Sequence, residues 1–152
     1  QRAGVPCTNV TDNSCGQLMR QGRVDCEIVG SDRTAANGDV CNKVGTYLKA
    51  LAARASDIPF YVALPESTID WSCPGGEQIP IEERDESEVL RIVGLDAAGD
   101  FREVNLDGAH SRALNPAFDV TPAALVGALI TEHGNFEASQ QGLQRLRAAA
   151  GA

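Results

Sequence analysis

Between Glu27 and Tyr47 the chain sets a carboxylate, an amide and an ammonium close together in sequence: Asp32, Asn42 and Lys43. A carboxyl group can give a proton to a leaving oxygen and later take one back. An amide and an ammonium beside it can hold hydroxyl groups and anionic oxygens. The run from Asp25 to Gly30 reads as a strand buried on both faces, because Cys26, Ile28 and Val29 follow one another closely. Asp32 then stands at the strand's carboxyl end, where open α/β sheets bind their ligands. Asn37-Gly38 is a turn signal. A helix is expected over residues 40–56, with Asp39 as its N-cap. That helix would carry Asn42 and Lys43 in its first turn, where free N–H groups and a partial positive charge suit an anion such as phosphate. Residue types alone also admit plainer roles. An Asp at a strand end commonly caps a turn or pairs with a cation, and a Lys on a helix is commonly solvated.

The elements that must position these groups follow a strand–helix rhythm. Residues 5–11 are β-prone and 14–21 read as a short helix stopped by Gly22. The helix over 40–56 draws its apolar face from Val40, Val44, Tyr47, Leu48, Leu51, Ala52 and Ala55. Residues 59–64 form a third buried strand. This order predicts an α/β fold, a Rossmann-like open parallel sheet with flanking helices. Residues 66–80 make a long connection holding the single Trp, Trp71, read as packing more than as a binding platform. Glu82 to Glu86 is a charge run, read as a solvated face or helix start. Residues 90–95 and 101–106 flank Ala98-Gly99-Asp100 and read as a small β-hairpin. Thr121 and Pro122 are placed to open another helix, with Leu125, Leu129 and Ile130 on its apolar face and Gly134 at its end. Asp119 is read as a cap of the next helix, with closure of a pocket as the alternative. His110 and His133 fall in loop or helix-end positions, and His133 is read as a dipole partner. Residues 136–152 read as a terminal helix or a frayed tail.

Composition narrows the function. The chain has 152 residues, 43% hydrophobic, and a net charge of −8. It is long enough for one ordinary core. Its acidity argues against a general nucleic-acid binder, which needs a basic face. No apolar run approaches the ~20 residues of a membrane helix. The five cysteines, Cys7, Cys15, Cys26, Cys41 and Cys73, are odd in number and lack closely spaced pairs. They read as reduced thiols of a cytoplasmic protein, with neither a disulfide framework nor a metal site. The start, Gln1 to Pro6, carries no apolar leader and reads as beginning in mid-structure.

Several strings together carry a family resemblance. They are Gly30-Ser31-Asp32-Arg33 with Ala35-Ala36-Asn37-Gly38-Asp39, Asn42-Lys43-Val44-Gly45-Thr46-Tyr47, Pro59-Phe60-Tyr61-Val62-Ala63, Ser67-Thr68, Ile79-Pro80-Ile81-Glu82-Glu83-Arg84, and Asn115-Pro116-Ala117-Phe118-Asp119-Val120-Thr121-Pro122. In this order they resemble the family of sugar-phosphate isomerases that turn 5-methylthioribose 1-phosphate into 5-methylthioribulose 1-phosphate in methionine salvage. The superfamily also holds ribose 1,5-bisphosphate isomerases and non-catalytic regulatory subunits of an initiation factor. The run Ile79 to Arg84 leans towards the methylthioribose branch.

The resemblance implies that Asp32 is the catalytic acid or base and that Asn42 and Lys43 contact the substrate. Ser31 and Thr34 stand where the family often has Ala and Ile. It implies a C-terminal catalytic domain over residues 1–134, followed by a helix or tail over 135–152. It further implies a sugar-phosphate substrate, no cofactor, a cytoplasmic homodimer, and an N-terminal domain bearing a catalytic Cys and an Arg-Gly-Ala phosphate-binding segment. This chain's cysteines fall at other positions, so none is assigned that role. The chemistry explains the need. A phosphate on the anomeric carbon blocks simple ring opening, so an acid must help the ring oxygen leave before hydrogen moves between the first two carbons.

Overall fold

The computed structural model describes residues 3–106 and 111–151; His110 lies outside them. The chain divides into two units, residues 1–79 with 119–152, and residues 80–118. In chain order the elements are α1 (Cys15–Arg20), β1 (Glu27–Val29), β2 (Arg33–Ala35), β3 (Val40–Lys43), α2 (Thr46–Ala55), β4 (Phe60–Ala63), β5 (Ile69–Asp70), α3 (Ser87–Leu90), β6 (Arg91–Leu95), β7 (Phe101–Asn105), β8 (Phe118–Thr121), β9 (Ala128–Thr131), β10 (Gly134–Phe136) and α4 (Gln140–Ala150).

The first unit is centred on β4. Its neighbours β1 and β9 both run parallel to it, with Val62 opposite Val29 on one side and Leu129 on the other. β10 closes the far edge antiparallel to β9. Phe60, Val62 and Leu64 are buried, as a central strand requires, and they pack with Met19, Ala50, Ala53, Leu129, Leu143 and Leu146. The expected α/β class, with a parallel sheet, flanking helices and a hairpin, is therefore present. Hydrogen bonding also defines a second sheet, in the order β5-β2-β3-β8. In it β2 and β3 are antiparallel, joined through the Asn37-Gly38 turn, where Gly38 N–H donates to Ala35 O at 2.9 Å.

Several expected elements differ, each for a physical reason. Residues 5–11 form no strand; Val5 and Val10 are exposed, and Pro6 has no N–H to offer a ladder. β1 is an edge strand, so Ile28 is 58% exposed and the strand is not buried on both faces. The helix expected over 40–56 begins only at Thr46, because Val40 to Lys43 pair in a sheet. Asp39 accordingly caps no helix. α2 buries Thr46, Ala50 and Ala53, while Val44, Tyr47, Leu48 and Leu51 form a largely exposed apolar stripe. Small residues on the inner face let the helix approach the sheet closely, so its larger apolar side chains point outward.

The helix expected after Pro122 is instead a short 3-10 turn, Ala123–Leu125, followed by β9. Gly127 interrupts the helical pattern, and its N–H donates to Phe60 O at 2.7 Å. That bond feeds Leu129 and Ile130 into a parallel ladder. Thr121 caps nothing there, because the Ala123 N–H donates to Asp39 Oδ1 at 2.8 Å. His133 lies in the turn between β9 and β10, away from any helix end, with its Nε2 3.4 Å from Glu66 Oε2.

The last segment is an ordered helix. Ser139 Oγ accepts the Gly142 N–H at 3.0 Å, capping α4, and Leu143 and Leu146 are fully buried. Each such leucine contributes about 1.5–3 kcal/mol, which makes α4 an integral layer of the first unit. The boundary expected at 134/135 runs through β10.

The second unit is the hairpin β6–β7, in register from Arg91 opposite Asn105 to Leu95 opposite Phe101, preceded by the single turn α3. The charge run from Glu82 to Glu86 leads directly into α3, and Arg84 bridges to Glu88 at 2.8 Å.

Candidate active site

Asp32 lies three residues beyond β1, at the carboxyl end of a parallel strand. Its N–H donates to Cys41 O at 2.9 Å. The β2–β3 ladder pairs Thr34 with Val40 and Arg33 with Cys41, so its next rung runs towards Asp32 and Asn42. The turn at Asn37-Gly38 thus folds the acid and the amide onto neighbouring positions by a hairpin. A hairpin, and not the expected helix, brings them together. Ser31 and Thr34 join their hydroxyls at 2.9 Å beneath this loop, which anchors it to the buried Thr34.

Asn42 and Lys43 end β3, and α2 begins after Val44 and Gly45. Gly45 has φ +99°, a conformation that favours glycine, and this lets the strand turn abruptly into the helix. Thr46 stitches the corner. Its hydroxyl donates to Lys43 O at 2.7 Å and accepts the Asn42 Nδ2 amide at 3.0 Å. Lys43 is exposed and, among the described residues, makes no ion pair.

Asp119 does not cap a following helix as expected. It caps α2, an element far earlier in the chain. Its carboxylate accepts the Gly45 N–H at 2.6 Å and the Tyr47 N–H at 3.0 Å. The Asp119 carboxylate thus sits at the α2 N-terminus, where its charge meets the positive end of the helix. No local pattern linked positions 45 and 119; only the pairing of β8 in the second sheet brings them together.

Cys41 lies beneath these groups. Burial pushes its thiol pKa up, the charge on Asp32 pushes it further, Arg33 opposes, and Asp119 adds a smaller push in the same direction. Both carboxylates thus act on one buried thiol from the same neighbourhood. Asp32 itself is exposed, so the chain does not bury it in the apolar pocket that acid–base work favours.

A third carboxylate, Asp39, is structural. It accepts from Asn37 Nδ2 at 2.7 Å, from Ala123 N–H at 2.8 Å and from Gly76 N–H at 3.0 Å. Burial works to raise its pKa, but the Ala123, Asn37 and Gly76 hydrogen bonds outweigh it, and the pKa is lowered. Gly76 approaches so closely that a Cβ there would meet Val120 Cγ1 at 2.5 Å. Trp71 packs against the core, with the Arg147 guanidinium 5.2 Å above its ring. It also lines a cleft of about 370 Å³ with Asn37, Ser72 and Gln140, which holds none of Asp32, Asn42 or Lys43. All five cysteines are free thiols. Among the described residues no cluster of His, Cys, Asp and Glu could hold a metal ion, and no helix is long and apolar enough to cross a membrane.

A parallel α/β sheet with a polar cluster beyond a strand's carboxyl end defines the class of open-sheet ligand-binding domains. The chain belongs to the Initiation factor 2 subunit family, which matches residues 1–138. It is 57% identical over 144 residues to a methylthioribose-1-phosphate isomerase of Gluconobacter oxydans, covering 94% of this chain and 39% of that protein. The 5-methylthioribose 1-phosphate isomerase structure from Pyrococcus horikoshii OT3 superposes with a TM-score of 0.82 at 38% identity, covering 95% of this chain and 38% of that one. Subunit delta of the translation initiation factor eIF-2B from A. fulgidus superposes with a TM-score of 0.76 at 37% identity, covering 90% of this chain and 37% of that one. The chain thus spans about two fifths of the length of these relatives.

Proposed function

We propose that this chain supplies the C-terminal part of the active site of an aldose–ketose isomerase acting on 5-methylthioribose 1-phosphate. The observation that carries the reading is the hairpin that sets Asp32 beside Asn42 and Lys43, within a chain 57% identical to a methylthioribose-1-phosphate isomerase. Asp32 protonates the ring oxygen as the C1–O bond opens and then serves as base while hydrogen moves between the first two carbons. The substrate and product are isomers, so the net reaction needs no oxidant or cofactor. Lys43 neutralises a phosphate oxygen, and Asn42 holds the sugar.

Curated relatives at 57% and 56% identity are methylthioribose-1-phosphate isomerases, which favours the enzyme over a non-catalytic assembly domain; the isomerase and eIF-2B structures, at 38% and 37%, do not separate the two. A ribose 1,5-bisphosphate would need a second cation. Of the nearby cations, Arg33 lies 3.7 Å from Asp70 and Lys49 lies 3.8 Å from Asp12, so each already has an anionic neighbour. Asp32 is exposed, and its cover is proposed to come from an N-terminal domain of the same enzyme, within a cytoplasmic homodimer. The exposed apolar stripe of α2 is surface of the kind such contacts cover.

The test is a substrate comparison in the intact enzyme that contains these residues. Conversion of 5-methylthioribose 1-phosphate is expected, with kcat/KM for ribose 1,5-bisphosphate at least about 100-fold lower, because one phosphate would lie unpaired. The 152-residue chain alone should turn over neither. Preference for the bisphosphate, or full activity of the chain alone, would overturn the proposal.

A further inference from the structure

We infer that Thr46 fixes the amide of Asn42 so that Asn42 offers its carbonyl oxygen to the substrate, as the acceptor for a sugar hydroxyl. This rests on the placement of Asn42 in the substrate site proposed above. The argument is one of proton accounting. A threonine hydroxyl has one proton and two lone pairs. The Thr46 proton goes to Lys43 O at 2.7 Å, because a carbonyl can only accept. What remains on Thr46 Oγ1 is a lone pair, so its partner 3.0 Å away must be a donor, the Asn42 NH2 group. Thr46 is 3% exposed, so water does not compete for either bond.

The Asn42 amide is thereby locked in one of its two orientations. Its Oδ1 faces the Gly30 side, 3.9 Å from where a Cβ on Gly30 would stand, along the loop that carries Asp32. Among the described residues that oxygen accepts no hydrogen bond. A carbonyl oxygen attracts a hydroxyl proton and repels a phosphate dianion. The pair therefore divides its work: Lys43 meets the anion, and Asn42 reads a hydroxyl near the group that moves the proton. Thr46 is a positioning residue acting through Asn42, and the two together make the site selective for a sugar over a bare anion.

The test is a double-mutant cycle on the intact enzyme, reading kcat and KM separately, with thermal melts on every variant. Thr46→Val should raise KM about tenfold, the scale of one misdirected hydrogen bond. Thr46→Ser should restore the wild-type KM, since it keeps the hydroxyl. In an Asn42→Ala background, Thr46→Val should cost less than about twofold, because its effector is gone. Equal losses in both backgrounds would show Thr46 acting on the fold alone and would overturn the inference. A wild-type KM and kcat in Asn42→Ala would be a different result, removing Asn42 from the site and with it the reading beneath. Competitive inhibition by inorganic phosphate gives a readout independent of the Thr46 variants. Asn42→Ala should leave it unchanged while Lys43→Ala weakens it; an equal loss in Asn42→Ala would make Asn42 a phosphate ligand and overturn the assignment.

Discussion

Asp39 shows how one side chain can hold several segments in register. Its carboxylate gathers Asn37, Gly76 and Ala123, which lie on the β2–β3 turn, the long connection and the start of the 3-10 turn. Those bonds favour the charged form and set its pKa below the ordinary 3.8. The sign of the pH effect follows. The stabilisation is complete above the unfolded pKa and is lost as pH falls through the lower folded value. Asp39→Asn should therefore cost about 1–3 kcal/mol at pH 7 by urea unfolding, the scale of orphaned buried donors, and the gap to wild type should close as pH falls below about 4. A gap constant from pH 7 to pH 3 would show that Asp39 does not act through its charge. Asp32 offers a contrast. It is exposed, and its backbone N–H donates to Cys41 O at 2.9 Å.

At the scale of elements, Asp119 holds the corner between β3 and α2. Asp119→Ala should cost about 1 kcal/mol, as for other lost N-caps. Amide exchange at Gly45 and Tyr47 should accelerate, while amides of β4 stay protected. Uniform acceleration across both elements would point to global destabilisation. This unit also shows what was legible beforehand. Asn37-Gly38 announced its turn, and Tyr47, Leu48 and Leu51 announced a helix. The start of that helix was misread because Val40 and Val44 extend the three- and four-residue rhythm backwards by chance. Val40 to Lys43 become a strand only because β2 and β8 lie on either side, and β8 comes from a stretch more than seventy residues downstream. The same reason explains β9: Leu129 and Ile130 fit a helix locally, but the open edge of β4 recruits them. The hairpin β6–β7 and strand β4 were readable, because their signals are local: a Gly-containing turn in one, an unbroken apolar run in the other.

At the scale of the whole molecule, the proposed site rests on the first unit. The parallel sheet, α4 and the Asp39 staple make a fixed base; the loop after β1 and the end of β3 present Asp32, Asn42 and Lys43 from it. The chain spans about two fifths of its relatives' length, and the acid that would do the chemistry is open to solvent here. On the proposed reading, this chain contributes the proton-transferring group of a composite site. Exchanging residues 1–138 into the Gluconobacter oxydans isomerase, in place of their counterpart, tests it directly through kcat on 5-methylthioribose 1-phosphate. The exchanged enzyme should turn over near the parental rate, and the same enzyme with Asp32→Asn should lose about 10²–10⁴-fold in kcat with an unchanged melting temperature. An Asp32→Asn enzyme that kept the parental kcat would contradict the claim.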